Sequence, residues 1–574
     1  MGRTRRSNTR SAFLVAALVL VAATAPVAAE DEPAAPCAAA AATRFEPGQS
    51  PLARDYYAYD ASAVIAACVP ALAAAPDDSR LKAWLGRAYY RQGWIAEARP
   101  LLESASAAGN PVAQTALGQM LISDEASTDM DRDRGIALYA AAAEQGFAPG
   151  QVRYGLMLQR AAVTQAEFDT ARSWILRGAE QGFADGQVEL GTLYFHGTGV
   201  DVDFAKSHRY YWLAAEQGAA AGRYGLGLLY WNGDGVPRDQ TRALGYYRLA
   251  ADQGYAQAQA ELGAAYLNGD GVEIDYVQAA ALIEAASAQG DIFALSNLGY
   301  MAENGVGMEQ NYERAASAYS QAAKAGDAYS QAGLAYLHEN GNGVPQDYVE
   351  AARLYRLAAD QGHAYAQAGL GYLYDVGHGV TQDYAEAARL YQQAADQGSD
   401  YAQFNLGYLY ESGLGVDRDP ERAAELYLAA FDSGNVDAAS ALGNLYLEGI
   451  GVARDPAAAL HYALIGAEAG IADSQNRVGY IYAEESGLRA TVRWRSGGSR
   501  RRQRRATSWQ SIMLPNSRPR RPAPRPLHRS SSRSSALWVV TLAPSIQQSR
   551  FPRARLRWRR IRDRTRTRPG WRGR

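Results

Sequence analysis

Histidine is the side chain in this sequence best suited to bind a metal or to move a proton near neutral pH, and the chain has seven of them. None forms a His-Glu-x-x-His pattern or another spacing that pairs two ligands. His338 and His378 lie beside loops, where polar residues are ordinary. We therefore interpret the histidines as structural or surface residues and predict no metal site; they are His196, His208, His338, His363, His378, His461 and His528.

Glycine-rich loops are the second feature that could carry chemistry. Residues 232–236 and 268–272 both read Asn-Gly-Asp-Gly-Val, but they lack the 12-residue ligand series of a calcium loop and its terminal Glu. Gly225-Leu-Gly227 does not follow a predicted strand, as a phosphate loop requires. No Gly-x-Ser-x-Gly motif or other nucleophile-base setting is present. We predict no catalytic residue and no cofactor, and the chain is not expected to be an enzyme.

The only two cysteines are Cys37 and Cys68. In an oxidising compartment they could form a disulfide. Alternatively, Cys68 is a small buried residue inside the apolar run of residues 61–75. Their spacing alone does not decide between the two interpretations.

The first 29 residues have the pattern of a secretory signal peptide. Four arginines precede an apolar stretch at residues 12–23, and small residues at 27–29 would allow cleavage before Glu30. Polar residues follow Arg5 and Arg6, which favours the general secretory route over the twin-arginine route. No later segment has the roughly 18 consecutive apolar residues of a membrane helix. We therefore expect a periplasmic or extracellular protein without a transmembrane segment after signal cleavage.

The net charge of −2 combines two opposite segments. Residues 488–574 contain 26 Arg and one acid, for a net charge of +25, whereas residues 30–487 contain 28 basic and 59 acidic residues, for a net charge of −31. An acidic body argues against a nucleic-acid partner, because phosphate contacts rely on Lys and Arg. A protein with a cationic surface is a more suitable partner for this acidic body than a nucleic acid.

The sequence repeats every 36 residues, and this repeat must position any residues that bind a partner. Glycines, most of them in a Gln-Gly pair, recur at that step at 146, 182, 218, 254, 290, 326, 362, 398, 434 and 470. A second glycine series, most often Gly-x-Gly-Val, starts at 197, 233, 269, 305, 341, 377, 413 and 449. Each unit is thus predicted to be two helices, A and B, that end at glycines.

Helix B is predicted to begin at a capping residue, because an Asp or Asn recurs at its start and can accept from the free amides of the first turn. This series is Asp203, Asp239, Asp275, Asn311, Asp347, Asp383, Asp419 and Asp455. Asp347 with Glu350 and Asp383 with Glu386 also have the spacing of a capping box.

Small and large residues alternate in the predicted core. A glycine recurs in the middle of helix A, as at Gly371 and Gly407, where helices are expected to approach closely. Helix B pairs a recurrent alanine with Tyr319, Tyr355, Tyr391 and Tyr427 one turn later, so we interpret most tyrosines as core residues. One hairpin could not bury this face alone, so the sequence predicts an all-α, right-handed α/α superhelical solenoid of stacked helix-turn-helix repeats.

The run Leu406-Gly-Tyr-Leu-Tyr-Glu-Ser-Gly-Leu-Gly-Val416, followed by Asp419, Ala423 and Tyr427, resembles the SEL-like repeat (SLR) family, which is related to tetratricopeptide repeats. We divide the chain into a signal peptide (1–29), a helical segment with both cysteines (30–77), a divergent tetratricopeptide-like repeat (78–110), two degenerate SLR units (111–182), eight SLR units (183–470), a truncated half repeat (471–486) and an Arg-rich tail (487–574). The tail composition is typical of disorder. Its abrupt start within a repeat favours a shifted reading frame over a selected tail.

The resemblance implies a scaffold for protein-protein interaction, with envelope signalling or polysaccharide-related regulation as candidate settings. The alternative is a module that binds a cell-wall or secreted polysaccharide, and a more remote alternative is a hydrolase of the β-lactamase type. Bulky residues that vary between units are the candidate binding surface: Phe195, Trp212 and Trp231.

Overall fold

The computed structural model describes residues 34–46, 59–123 and 128–484. The predicted signal peptide and Arg-rich tail lie outside these residues. The chain divides into two compact units, residues 1–238 (unit 1) and 239–574 (unit 2). Among the described residues there is no β-strand and no helix with the length and apolar composition that crossing a membrane requires.

Unit 1 contains eleven helices in its described part. They are α1 (Ala35–Ala41), α2 (Ala61–Ala74), α3 (Ser79–Arg91), α4 (Ile95–Ala107), α5 (Pro111–Ser123), α6 (Asp129–Glu144), α7 (Ala148–Ala161), α8 (Gln165–Glu180), α9 (Ala184–His196), α10 (Phe204–Glu216) and α11 (Ala220–Asn232). From α3 onward the odd-numbered helices are A helices and the even-numbered ones are B helices.

Unit 2 continues the same alternation through fourteen described helices. They are α12 (Gln240–Ala251), α13 (Ala256–Asn268), α14 (Tyr276–Ser287), α15 (Ile292–Asn304), α16 (Tyr312–Lys324), α17 (Ala328–Asn340), α18 (Tyr348–Asp360), α19 (Ala364–Val376), α20 (Tyr384–Ala395), α21 (Asp400–Ser412), α22 (Pro420–Asp432), α23 (Val436–Glu448), α24 (Pro456–Glu468) and α25 (Ala472–Glu484).

The predicted caps of the B helices are confirmed. Asp203 accepts a hydrogen bond from the backbone amide of Lys206, and Asp347 accepts from the amides of Val349 and Glu350. These bonds satisfy donors that have no partner inside a first helical turn. The A helices from α9 to α23 end at the second glycine series, whose residues have positive φ.

The predicted capping-box partners have a different role. The Glu350 carboxylate accepts from Nε and Nη2 of Arg353 at 2.7 and 2.6 Å, and Glu386 binds Arg389 in the same way. A two-point bond to a guanidinium is stronger than a bond to one neutral amide, so the arginine three residues later binds the carboxylate.

The close approach predicted at the mid-helix glycines is also confirmed. A Cβ atom on Gly407 would lie 2.9 Å from the ring of Tyr427, which comes from helix B of the same repeat and is 1 % exposed. Tyr319, Tyr355 and Tyr391 are fully buried at the same position. Several repeats therefore pack one tyrosine ring of helix B against a nearly bare stretch of helix A, whereas Ile283 takes the place of the tyrosine opposite Gly263.

Within each unit the helix pairs stack on one another. Each A helix packs against the B helix of its own repeat and against the B helix before it, and successive A helices such as α15, α17 and α19 also touch. Alanine, leucine and tyrosine fill the spaces between the layers. The result is the all-α solenoid of stacked helix-turn-helix repeats that the 36-residue period predicts.

Cys37 in α1 and Cys68 in α2 form a disulfide, and both side chains are fully buried. The chain after α1 is held by buried polar contacts. The carboxylate of Glu46 accepts from Trp84 Nε1 at 2.9 Å and from the Thr43 amide at 2.8 Å, and burial raises its pKa despite these bonds. We call residues 34–46 the N-terminal segment.

Candidate protein-interaction surface

The three predicted surface residues lie on two kinds of helix. Phe195 and Trp231 occupy the same position near the ends of α9 and α11, one repeat apart, and both are half-buried. The Phe195 ring packs edge-on against Phe204, with centroids 5.8 Å apart. Trp212 lies on the B helix α10 and is 45 % exposed.

In four consecutive repeats of unit 2 the position of Phe195 and Trp231 is occupied by acids, whereas the repeats on either side have Leu267 and Leu447 there. Counting 36 residues at a time leads to Glu303, Glu339, Asp375 and Glu411 on four consecutive A helices. We call these four residues the carboxylate row. The sequence contains the signal that would have revealed it, because every one of these acids stands two residues before a helix-ending glycine.

A buried tyrosine of the following B helix donates a hydrogen bond to members of the carboxylate row. Tyr355 Oη lies 2.8 Å from Glu339 Oε2, and Tyr427 Oη lies 2.8 Å from Glu411 Oε2. The bond from Tyr319 to Glu303 Oε2 is 2.9 Å long. The core tyrosines therefore hold these carboxylates as well as filling space.

Burial raises the pKa of Glu303 and of Glu339 to about 7, although the tyrosine hydrogen bond opposes the rise. Burial also raises the pKa of Asp375. A carboxylate that loses water without gaining a cation is costly to ionise. A positive charge brought near this row would favour the ionised form.

Tyrosines extend along the same A helices. Tyr329, Tyr365 and Tyr401 stand near the helix starts, and Tyr365 packs edge-on against Tyr355 of the preceding repeat with centroids 6.2 Å apart. A second series lies seven residues later and ends at Tyr408, which is 47 % exposed; Tyr365 is 37 % exposed. We call the half-buried and exposed members of both series the tyrosine surface: Tyr329, Tyr336, Tyr365, Tyr401 and Tyr408. Tyr300 and Tyr372, at equivalent positions, are buried in the core.

A ladder of hydrogen-bonded glutamine side chains runs along the C-terminal ends of the B helices. Gln397 Nε2 donates to Gln367 Oε1 at 2.7 Å, and Gln367 Nε2 donates to the backbone oxygen of Ala359 in the preceding repeat at 3.4 Å. The same pair of bonds joins Gln217, Gln187 and Ala179 in unit 1. The Gln of each Gln-Gly pair in these repeats is thus held in one orientation.

The N-terminal segment ends on this ladder in unit 1. Arg44 Nη2 donates to the backbone oxygen of Gly182 at 2.9 Å and to Gln217 Oε1 at 2.6 Å. The neighbouring Phe45 packs edge-on against Phe183, with centroids 5.3 Å apart. Sequence reasoning missed this contact, because nothing local links Arg44 to residues more than 130 positions later.

The part of the chain that the structure describes contains no group of three or more His, Cys, Asp and Glu side chains that could hold a metal ion. His363 illustrates the structural use of histidine here. Its Nδ1 accepts from the Ala366 amide at the start of α19, and burial lowers its pKa.

Comparison with known proteins gives one family. The model of the Sel1 repeat matches ten consecutive segments, at residues 111–147, 148–183, 184–218, 220–255, 256–291, 292–327, 328–363, 364–399, 400–435 and 436–471. The curated proteins compared with the chain include no match.

Among solved structures, the chain is similar to a protective antigen from uropathogenic Escherichia coli strains that displays an SLR fold. The two are 26 % identical with a TM-score of 0.54, over 80 % of this chain and 99 % of the antigen. A Sel1 repeat protein from Oxalobacter formigenes is 32 % identical over 54 % of this chain and 90 % of its own, with a TM-score of 0.37. Sel1 repeats generally mediate protein-protein interactions. The predicted SLR resemblance is therefore confirmed, and the chain belongs to the Sel1 repeat family.

Proposed function

We propose that this chain is a non-catalytic scaffold of the bacterial periplasm or cell exterior, and that it binds a protein partner along the A helices of unit 2. The observation that carries the proposal is the tyrosine surface. Core packing accounts for Tyr319, Tyr355, Tyr391 and Tyr427, but it does not account for side chains as exposed as Tyr408. Tyrosine is enriched in protein interfaces, because one rigid side chain offers both apolar area and a hydroxyl.

The charge of this region favours a cationic partner. Residues 239–484 carry 33 acidic and 11 basic side chains, for a net charge of −22. Complementary charge raises the rate of encounter and selects among partners. A cation near Glu339 would also favour its ionised form, so binding is expected to release protons at pH values below about 7.

The proposed location rests on the signal-like residues 1–29 and on the Cys37–Cys68 disulfide. A structural disulfide is far more common in proteins of oxidising compartments than in those of the cytosol. Within that compartment, envelope signalling and polysaccharide-related regulation are the settings we propose for the partner.

Site-specific photo-cross-linking tests the proposal. A benzophenone amino acid would replace Tyr408 on α21, and a second variant would carry it at Val349, which is 66 % exposed on the B helix α18. After irradiation of intact cells, we expect a discrete adduct from the Tyr408 position in which mass spectrometry finds peptides of a second protein. We expect no such adduct from the Val349 position.

Equal adducts from both positions, or none from position 408, would contradict the proposed surface. An adduct that contains no second protein and loses mass with glycan-cleaving enzymes would instead support the polysaccharide alternative.

A further inference from the structure

One arginine of the chain, Arg44, is itself bound to the repeats of unit 1. Arg44 reaches the ends of two successive repeats in unit 1, where one nitrogen donates to Gly182 O and to Gln217 Oε1. The Arg44 guanidinium also lies over the ring of Phe45, 4.9 Å from its centroid, and Phe45 itself contacts Phe183. The N-terminal segment thus shows how an arginine presented by a turn, which the Glu46 amide closes by donating to Thr43 O at 3.0 Å, can dock on these repeats.

The two oxygens that bind Arg44 come from the repeat itself. Gly182 is the helix-ending glycine of one repeat, in a turn that leaves its backbone oxygen outside the helical hydrogen bonds. Gln217 ends the next B helix, and its Nε2 donates to Gln187 Oε1 at 2.6 Å. That bond turns Oε1 of Gln217 toward Arg44. We call such a glycine oxygen and glutamine oxygen an acceptor pair.

Unit 2 repeats this arrangement twice in succession. Gln361 Nε2 donates to Gln331 Oε1 at 2.8 Å, and Gln397 Nε2 donates to Gln367 Oε1 at 2.7 Å. The glycines one repeat earlier, Gly326 and Gly362, have the same positive φ as Gly182. The two successive acceptor pairs of unit 2 are therefore Gly326 O with Gln361 Oε1, and Gly362 O with Gln397 Oε1. A third pair, Gly254 O with Gln289 Oε1, stands apart from them, and there Gln289 Nε2 donates to Gln259 Oε1 at 2.9 Å.

The surroundings of these pairs favour a guanidinium. Gln361 and Gln397 are exposed, and each directly follows an exposed aspartate, Asp360 or Asp396. Tyr365, which is 37 % exposed, stands three residues after Gly362 and offers a ring face. Carbonyl and carboxylate oxygens beside an aromatic ring bind arginine through hydrogen bonds, charge and cation-π contact.

We propose that the acceptor pairs of unit 2 bind arginine side chains from an extended segment of a partner protein, in the way that Gly182 and Gln217 bind Arg44. This inference rests on the proposed scaffold function and names the chemistry of its partner. The two successive pairs lie one repeat apart, at the ends of the B helices α18 and α20. An extended chain advances about 3.3 Å per residue, so three residues span about 10 Å. Arginines three positions apart, in the pattern Arg-x-x-Arg, are therefore the shortest pattern chosen to reach both pairs.

Peptide binding to the full chain tests the inference. The probe is a fluorescein-labelled extended peptide with one Arg-x-x-Arg pattern, and its control has alanine in place of both arginines. We expect the probe to bind and the control peptide to bind roughly ten-fold more weakly or worse. Gln361→Ala and Gln397→Ala should each weaken binding of the probe by about five- to ten-fold.

The variants have a matched control in Gln382→Ala. Gln382 is also exposed and makes two hydrogen bonds, to Asp375 O and Tyr384 Oη, but it lies in the loop between helices A and B. The Gln382→Ala variant should bind the probe peptide as tightly as the unchanged chain. The fold tolerates the loss of the glutamine, because Ser433 stands at the same position before Gly434, which keeps its positive φ. Circular dichroism would verify the helix content of each variant.

Equal binding of the two peptides, or equal loss in Gln382→Ala and Gln397→Ala, would overturn the inference. So would a photo-cross-link from position 396 of the isolated chain to residues 487–574, because the occupant would then be the chain's own Arg-rich segment. A protein adduct from position 408 in cells together with no peptide binding would leave the scaffold function standing and remove only this inference.

Discussion

Tyr355 donates a hydrogen bond to Glu339 at a distance of 2.8 Å, from a position where neither side chain is more than 5 % exposed. This bond joins the core of a repeat to its A-helix surface. It places an acid with a pKa of about 7 where a typical helical repeat would place an apolar residue.

Replacing this tyrosine tests the bond directly. Tyr355→Phe removes the hydroxyl that donates to the buried Glu339 carboxylate and should lower the free energy of unfolding by about 1–3 kcal/mol at pH 8. At pH 5 the acid is protonated, so the loss should be smaller. Urea denaturation of the variant and of the unchanged chain at pH 8 and at pH 5 measures the two losses of stability. Tyr348→Phe is the control, since the hydroxyl of Tyr348 only accepts from Gln346 near the surface and its loss should be small. Equal losses at both pH values would contradict the role of this bond.

The carboxylate row predicts a pH dependence with a definite sign. Glu303 and Glu339 titrate near 7 in the folded chain and near 4.3 when unfolded, so the folded state binds more protons between these values. Stability should therefore fall as the pH rises from about 4.3 to about 7, by at most about 4 kcal/mol for each acid. The double variant Glu303→Gln, Glu339→Gln should flatten this slope in a series of denaturation curves.

A control with the opposite sign is available on the neighbouring helix α18. Arg353 lowers the pKa of Glu350, so this pair stabilises the fold above about pH 4.5 and its contribution is lost as the pH falls further. Glu350→Gln should therefore remove a constant amount of stability at neutral pH, change the pH slope only below about pH 4.5 and leave the slope near neutrality intact. A slope that survives in the double variant would show that other groups produce it.

The disulfide should stabilise the start of unit 1. It joins residues 31 positions apart and fastens α1 to α2. Changing both Cys37 and Cys68 to Ser should cost about 2–4 kcal/mol in the unfolding of this region, because the unfolded chain regains the freedom that the bond removes. Thermal melts with and without a reductant should differ for the unchanged chain and coincide for the variant. A chain purified from cells with both thiols free would count against the proposed location.

The contribution of a single N-cap to the free energy of unfolding should be measurable. Asp347→Ala removes the acceptor for two backbone amides at the start of α18 and should cost about 1 kcal/mol. Asp347→Asn keeps a side-chain oxygen, as Asn311 does naturally before α16, and should cost much less. Equal effects of the two changes on the denaturation midpoint would argue against capping as the cause.

The sequence predicts the helix pairs well, because their ends carry residues with strong local preferences. Asp203 and its equivalents cap helices through atoms of their own turn, and the glycines end helices through their own φ. These preferences are local and do not depend on the rest of the chain. The 36-residue step then requires the helix pairs to stack.

The surface was harder to predict, because it depends on contacts between helices. Phe195 and Trp231 stand out in sequence by their size, yet the acids at the same position in later repeats acquire their character only from burial against Tyr319 and Tyr355. Tyr365 and Tyr355 are the same residue type, and only the packing places one at the surface and the other in the core. The pairing of the cysteines stayed open for the same reason.

The bond from Arg44 to Gln217 spans 173 positions, whereas the main helix contacts join helices one or two places apart along the chain. A chain exported as proposed leaves the membrane N-terminal end first, so Arg44 must wait until the whole of α10 has emerged before this bond can form. Contacts between distant positions slow the formation of a fold, because the loop must close before the contact stabilises it. The repeats up to α10 are therefore expected to assemble one after another during export, and the docking of Arg44 follows the formation of α10.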